Sequence, residues 1–234
     1  MIHETTSNGS GPEQDSYRRM ARNFYLSIPL YLLVPIAFWR VFQAFAITMN
    51  WSDFGLGALG WIIALMLRGP VGLVVKNAPK KRAGLVVAAS SGPLEEGVRV
   101  LMLLLLGLSS SSVLSFGQGW AAVEVLYAIV NGALLTTILQ RNDEKAIQVK
   151  QILETQGTFQ QNPWYGVLER VFASAFHIGS TLILAFNPWL VFVMMLVHTG
   201  MNLIAMHLAK KSLPLTETFV AVVGSITIAV GLVL

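Results

Sequence analysis

The sequence predicts an all-α fold, a polytopic membrane helix bundle of about seven transmembrane helices with a cytoplasmic N-terminus. Three observations predict it: the composition, the long apolar segments, and the distribution of Lys and Arg between the loops. Hydrophobic residues make up 54% of the 234 residues and charged residues only 12%, whereas a soluble domain carries about 25% charged residues. The chain has no cysteine, which excludes disulfides, thiolate metal sites and a cysteine nucleophile.

Seven segments are long enough to cross a bilayer, which takes about 20 mostly apolar residues. The second segment contains Gly69-Pro70 and the third contains Gly92-Pro93, so we expect each helix to break or kink at its proline. The seven predicted segments are 24–46, 54–75, 83–108, 113–140, 164–186, 188–208 and 213–234.

Lys and Arg alternate between the loops that join these segments. Loop 76–82 contains four of them and loop 109–112 none, and along the chain twelve lie on one side and none on the other. By the positive-inside rule the N-terminus is cytoplasmic and the C-terminus lies outside. This bias explains the net charge of +4 without a nucleic-acid partner. The expected organisation of this integral, multi-pass protein is a flexible cytoplasmic tail at 1–23 and a single transmembrane helical domain at 24–234.

Five ionisable residues lie at a similar depth in this topology. Each is about 10–13 residues from the membrane face where its segment begins, hence about 15–20 Å deep and near the bilayer midplane. A charge at that depth costs a few kcal/mol unless it finds a partner, a proton, water or a metal. A functional site is expected there, and the alternative is a polar cluster that only specifies helix packing. The five residues are Glu95, Glu96, Glu124, His177 and His198.

Two spacings refine this expectation. Arg99 follows Glu95 by four residues and Glu96 by three, so it can pair with either carboxylate on one helix face. It would keep one glutamate ionised while the other serves as a base. His198 and Asn202 are also four residues apart and present an imidazole and an amide on one face. An amide can orient a histidine or donate to a developing oxyanion.

Three motifs in order along the chain, EEGVR, ERVFASAFH and HTGMN, resemble the signatures of CPBP-type intramembrane proteases, the group that includes the CAAX prenyl endopeptidases. The stretch FGQGWAAVEVLYAIVNG further resembles the YhfC-type branch of intramembrane metalloproteases. The chain departs from these patterns at three positions. Arg99 follows the glutamate pair after two residues instead of three, Ala173 occupies the phenylalanine position of FxxxH, and Trp120 stands where branch members carry histidine.

The resemblance implies hydrolysis of a peptide bond in a membrane-anchored peptide or protein substrate within the lipid bilayer, by helices in about 83–208. Glu95 or Glu96 would activate a water molecule, and His177 would position that water or the scissile carbonyl. His198 and Asn202 would stabilise the tetrahedral oxyanion. The implied catalytic residues are therefore Glu95, Glu96, His177, His198 and Asn202, with Arg99 and Glu124 in supporting roles.

The cofactor stays open between none and zinc. A zinc ion would lower the pKa of a bound water, and His₂Glu is a known catalytic zinc set. The soluble HExxH signature of metalloproteases is absent from the sequence. The ligands would come from Glu95, Glu96, His177 and His198.

Two other classes of function stay open. A proton- or ion-coupled transporter also places carboxylates and histidines at the midplane, and helices broken at Gly-Pro pairs suit transport. Against transport, the two halves of the sequence show no repeat. A non-catalytic membrane partner with a protease-like fold could keep the same residues in binding roles.

Overall fold

Eight α-helices and one 3₁₀ turn, Pro188–Leu190, make up the described part of the chain, which is residues 12–107, 110–156 and 163–234 of a computed structural model. No strand occurs among these residues, so the all-α prediction is confirmed. The helices are α1 Pro12–Ala44, α2 Trp51–Val74, α3 Lys80–Leu106, α4 Ser110–Leu139, α5 Glu144–Gln156, α6 Pro163–Phe186, α7 Val191–Ala209 and α8 Leu213–Val233.

Six helices of the described chain are long and apolar enough to cross a membrane, by length and composition. They correspond to six of the seven predicted segments, and their outer faces expose large apolar side chains such as Met66 and Leu196. The chain is thus a multi-pass membrane helix bundle. The remaining segment, 83–108, corresponds to α3, a long helix with two glutamates and an arginine in its middle. The total of seven spans and the cytoplasmic N-terminus stay predictions.

Helix α1 begins at Pro12, so residues 12–23, which the sequence analysis assigns to the tail, are helical. Proline is favoured in the first helical turn, where its missing N–H would be unpaired anyway. Tyr17 and Ala21, four residues apart, are both buried, and Lys150 Nζ lies 4.6 Å from the centre of the Tyr17 ring. This local packing extends the helix past the apolar segment, which hydropathy alone cannot indicate. Residues 1–11 lie outside the described residues.

Helix α5 lies between the predicted membrane segments 113–140 and 164–186, where the sequence analysis places no helix. Asp143 caps it: Oδ1 accepts a hydrogen bond from the Ala146 backbone N–H at 3.2 Å, and Oδ2 accepts one from Arg141 Nε at 2.6 Å. These contacts, the Ala146 N–H first among them, hold the pKa of the Asp143 carboxyl below its usual value of 3.8. An N-cap of this kind satisfies backbone donors at a helix start.

Helices α2 and α3 continue through Pro70 and Pro93, so neither helix breaks at its proline, and a kink there stays a prediction. A proline inside a membrane helix removes one backbone hydrogen bond, and neighbouring helices can compensate for the freed carbonyl. Both helices are packed against others, α2 against α4 and α3 against α7. A sequence cannot report that support, so it overstates the effect of the proline.

Helix α6 is the centre of the bundle. Of its apolar span, 61% is buried, against 33% or less in each of the other five candidate spans. It packs against α1, α4 and α8. Glycines permit the close contacts: a Cβ at Gly179 of α6 would overlap the α8 backbone at Thr227, and a Cβ at Gly57 of α2 would overlap the Phe116 carbonyl of α4. Most of the apolar span of α6 is therefore in contact with protein.

Candidate functional site

The candidate residues of α3 and α7 meet because the two backbones approach closely. Gly92 lies one turn before the glutamate pair of α3, and a Cβ there would overlap Thr199 and the Met195 carbonyl of α7. Glycine is the residue type that allows such an approach between membrane helices. The contact brings the glutamates beside His198, which lies one residue before Thr199.

Glu96 is fully buried and accepts hydrogen bonds from three side chains. Its Oε2 accepts from Arg99 Nη1 at 2.7 Å and from Ser180 Oγ at 2.6 Å, and its Oε1 lies 2.7 Å from His198 Nδ1. Because an ionised carboxylate only accepts, His198 donates through Nδ1 and keeps Nε2 as its remaining ring nitrogen. We call these four residues the closed side of the site: Glu96, Arg99, Ser180 and His198.

Arg99 connects the closed side to His177. Its Nη2 lies 2.8 Å from His177 Nδ1. Because a guanidinium only donates, Nδ1 accepts and the His177 proton is assigned to Nε2. That nitrogen lies 2.5 Å from Glu124 Oε2, and Glu124 Oε1 accepts from Arg170 Nη1 at 2.6 Å. The partners of the ring therefore fix both its tautomer and its orientation.

Glu95 has a different set of partners from Glu96. Its Oε1 forms an ion pair with Arg68 of α2, and its Oε2 lies 3.4 Å from Trp120 Nε1 and 3.9 Å from His177 Nδ1. The Arg68 side chain is 27% exposed, and its buried Nε has no hydrogen-bond partner among the described residues. We call Glu95, Arg68 and the cavity that both line the open side of the site.

The cavity has a volume of about 540 Å³ and extends from Glu95 between α1, α4 and α6. Its far end lies where α1 begins and α4 ends, near Met20 and Leu139. In the predicted topology this is the cytoplasmic face of the membrane. Glu95, His177, His198 and Asn202 are among its lining residues, whereas Glu96 and Arg99 are not. The cavity therefore reaches Glu95 but not Glu96.

Six of the seven predicted site residues form one chain of contacts, and the seventh lies apart from it. Asn202 lines the cavity, but its Nδ2 donates to Ser91 Oγ at 2.6 Å, on α3. His198 and Asn202 thus have separate partners on α3, so Asn202 does not orient the histidine, and its donation to an oxyanion stays a prediction. The six connected residues are Glu95, Glu96, Arg99, Glu124, His177 and His198.

Arg68 of the open side is not among the site residues predicted from the sequence, and neither are two residues of α6, Ser180 and Arg170. The sequence contains a pattern that could have identified both residues of α6. Ser180 follows His177 by three residues and Arg170 precedes it by seven, so all three lie on one face of α6. The face is polar in an otherwise apolar helix, which indicates contact with other polar groups rather than with lipid.

The donor set fits zinc in residue type and spacing but not in its electrostatics. Glu95, His177 and His198 each offer a ligand atom, and these atoms lie within 4.8 Å of one another. His198 fits well, because a carboxylate on one ring nitrogen leaves the other for a metal. His177 does not fit, because Arg99 donates to its Nδ1 and Glu124 faces its Nε2. A zinc ion at Nδ1 would displace that hydrogen bond and lie next to a guanidinium cation.

The fold and this network define a polytopic membrane helix bundle with a buried ionisable site. A scan against protein-family models, a search of the curated proteins and a search of the solved structures each found no match. The likeness to CPBP-type intramembrane proteases therefore stays a prediction, carried by the three motifs and their order.

Proposed function

We propose that this protein is an intramembrane protease that hydrolyses a peptide bond of a membrane-anchored substrate. One observation carries the proposal: Glu95, a carboxylate, and Arg68, a cation with an unpartnered N–H, line the same cavity at the centre of an apolar bundle. Hydrolysis of an amide needs a proton acceptor for water and donors for the oxyanion, within reach of one reacting carbonyl. The open side offers both.

Glu95 rather than Glu96 is the base in this proposal. Glu96 is 0% exposed and already accepts from Arg99, Ser180 and His198. Three donors already surround its two oxygens, and it does not line the cavity. Glu95 lines it, so a water molecule can approach its carboxylate. Glu96 acts as a positioning residue, because it holds the His198 ring through Nδ1.

The reaction follows from these positions. Glu95 removes a proton from a water molecule while the water oxygen forms a bond to the scissile carbonyl carbon. The C=O π electrons move to the carbonyl oxygen, which becomes an oxyanion. When the tetrahedral intermediate collapses, the C–N bond breaks and Glu95 returns its proton to the leaving amine. No other reactant is consumed, and general acid–base catalysis of this kind contributes about 10²–10⁴-fold in rate.

The oxyanion would be stabilised by Arg68 and His198. The Nε of Arg68 is a buried donor with no acceptor in the described chain, and His198 lines the same cavity. Donors aimed at a developing charge are worth more in a low-dielectric site than in water. Asn202 has a lesser role in this proposal than the motif implies, because its amide N–H group is held by Ser91.

We propose that the reaction proceeds without zinc, since the hydrogen bond from Arg99 and the facing Glu124 carboxylate occupy both nitrogens of His177. The substrate would enter the cavity from the end where α4 finishes. A peptide segment must be extended to pass along it, because helical backbone carbonyls are shielded by their own hydrogen bonds. A membrane-anchored segment unwound near the cytoplasmic face meets this requirement.

The test is cleavage of a panel of membrane-anchored peptides by the purified protein in detergent. We expect Glu95→Gln to lower the cleavage rate by about 10²–10⁴-fold and His198→Ala to lower it as well. The matched control is Glu144→Gln, which neutralises an exposed glutamate of α5 and should cleave like the wild type. Equal rates for the wild type and Glu95→Gln would contradict the proposal.

Each of these assays is repeated with a chelator and with added zinc. We expect no loss of activity with the chelator and no gain with zinc. Activity that a chelator abolishes and zinc restores would support the protease but contradict the metal-free mechanism. In that case Arg99 would no longer donate to His177.

A second candidate function is proton-coupled transport, which a line of ionisable contacts favours. The line runs from Glu124 through His177 to Glu95. Such chains conduct protons in membrane transporters. Proton uptake by proteoliposomes that Glu124→Gln abolishes, without any peptide cleavage by the wild type, would support transport instead of proteolysis.

A further inference from the structure

A second buried carboxyl lies outside the site described above. Glu217 is the fifth residue of α8 and the sole charged residue of that helix. It is 5% exposed, and its Oε2 has no hydrogen-bond partner in the described chain. Buried polar groups nearly always have a partner, so an exception calls for an explanation.

The nearby cation directs its hydrogen bonds to other carboxylates than Glu217. The charged groups that act on it are Glu169 and Arg170 of α6. Arg170 gives its Nη1 to Glu124 and its Nη2 to Glu169, so its donors are directed elsewhere. Glu217 is therefore a third carboxyl group in a region where the guanidinium of Arg170 already forms hydrogen bonds with two carboxylates.

Glu217 lines a groove of about 610 Å³ between α6 and α8. On the α8 wall the groove extends from Pro214 to Ile226, which at about 1.5 Å per residue is roughly 18 Å of helix. Between these ends α8 presents Thr218, Ala221 and Ser225, which follow helical spacing along one face. Small side chains at this spacing let a second helix approach closely in a membrane.

We propose that this groove binds a membrane-spanning helix that carries a Lys or Arg side chain at the level of Glu217. The charge argues for this occupant. A carboxylate and an ammonium are each costly in the hydrocarbon region, and they lower that cost when they pair. The length and the small residues of the groove match a helix, and its single carboxyl matches a single cation. The inference concerns binding and stands apart from the proposed hydrolysis.

The experiment uses the full chain in lipid nanodiscs and two synthetic transmembrane peptides of Leu and Ala. One peptide carries a single Lys about one turn from its cytoplasmic end, and the other carries Leu at that place. The chain has no cysteine, so Ser225→Cys provides one cross-linking site in the groove, and each peptide carries one cysteine. Cross-linking yield against peptide concentration gives the apparent affinity.

We expect the Lys peptide to bind about tenfold more tightly than the Leu peptide, and this preference to disappear in Glu217→Gln. Ala221→Phe, which fills the groove, should weaken binding of both peptides. The matched control is Val230→Phe on the same helix, at an exposed position outside the groove, which should leave both affinities unchanged.

Three outcomes would overturn the inference. Equal affinity for the two peptides would indicate that the groove takes any apolar chain, such as a lipid tail. A Lys preference that survives in Glu217→Gln would place the cation elsewhere. Cross-linking between two copies of the Ser225→Cys protein in the absence of peptide would show that a second copy of this chain covers the groove.

Discussion

The two adjacent glutamates of α3 have opposite surroundings. On the closed side Glu96 has three donors and no access to the cavity, whereas on the open side Glu95 has a partly exposed arginine and a cavity beside it. One residue of separation turns two identical side chains to different neighbours, because successive positions on a helix differ by about 100°. The comparison indicates that, of two adjacent carboxylates in a membrane site, one can stabilise the structure while the other is available for chemistry.

The charges of the glutamates on the closed and open sides are compensated in different ways, for a physical reason. In a low-dielectric interior, an ion pair persists only when hydrogen bonds satisfy its remaining lone pairs and protons. Glu96 and Arg99 are both 0% exposed; Glu96 accepts from three donors, and both terminal nitrogens of Arg99 have partners, while its Nε has none among the described residues. Arg68 and Glu95 lie beside a cavity that can admit water, so their pairing can be exchanged for hydration. The closed side should therefore govern stability and the open side reactivity.

The largest expected effect is on the closed side. Glu96→Ala leaves Arg99 buried without its carboxylate and also removes the acceptor of Ser180 and His198. We expect the free energy of unfolding to fall by about 3–5 kcal/mol, as when one partner of a buried ion pair is removed. Unfolding in mixed micelles by titration with a denaturing detergent measures this. A variant as stable as the wild type would remove the basis for calling this side structural.

The next effect tests whether helix packing holds the partner of Glu95 in place. Arg68 lies on α2, and Gly57 of α2 contacts the α4 backbone at Phe116. We expect Gly57→Ala to lower the free energy of unfolding by about 2 kcal/mol through overpacking. Gly55→Ala on the same helix is the control, since a Cβ there meets nothing within 4 Å. Because Ala has a higher helix propensity than Gly, Gly55→Ala should not lose stability, and equal losses in both variants would contradict the assignment to packing.

A smaller effect is expected from the open side. Arg68→Gln removes the ion-pair partner of Glu95, but water in the cavity can replace it. We expect a loss of about 1.5 kcal/mol, at the low end for a hydrogen bond to a charged group, together with slower cleavage. The same two measurements, unfolding and cleavage, check this. A stability loss as large as that of Glu96→Ala would show that the two sides do not differ.

The smallest effect concerns an ion pair in water, the counterpart of the buried pairs. Arg141 and Asp143 lie 2.6 Å apart with side chains 60% and 42% exposed, so we expect Arg141→Gln to leave the unfolding of the protein unchanged. The pKa of Asp143 should stay lowered, because the Ala146 N–H is the main cause. Since the folded pKa is lowered, the cap stabilises α5 above the ordinary pKa of an aspartate and is lost as pH falls through the folded value.

The Ala146 amide signal, followed by NMR against pH in both proteins, measures that titration. A midpoint in Arg141→Gln that returns to the usual range of an aspartate would contradict the assignment of the cause to the backbone.

Much of the bundle could be predicted from the sequence. Apolar segments of about 20 residues fix the positions of membrane helices because an unpaired backbone group in lipid costs several kcal/mol. That argument found the segments that became α1 to α4 and α6 to α8. It missed the extension of α1 to Pro12 and the whole of α5, because these residues are too polar for hydropathy to indicate a helix and local capping and packing decide. It also missed Glu217, although a lone glutamate in an apolar helix was a visible signal.

The sequence by itself determined that ionisable residues of four helices lie at one depth, since depth follows from residue count and helical rise. Only the tertiary structure decided which glutamate belongs to the closed side of the site and which to the open side. Spacing places Arg99 beside both. The decisive partners come from other helices: Arg68 lies 27 residues from Glu95, while Ser180 and His198 lie 84 and 102 residues from Glu96. Contacts over such separations depend on how helices pack, which no local pattern contains.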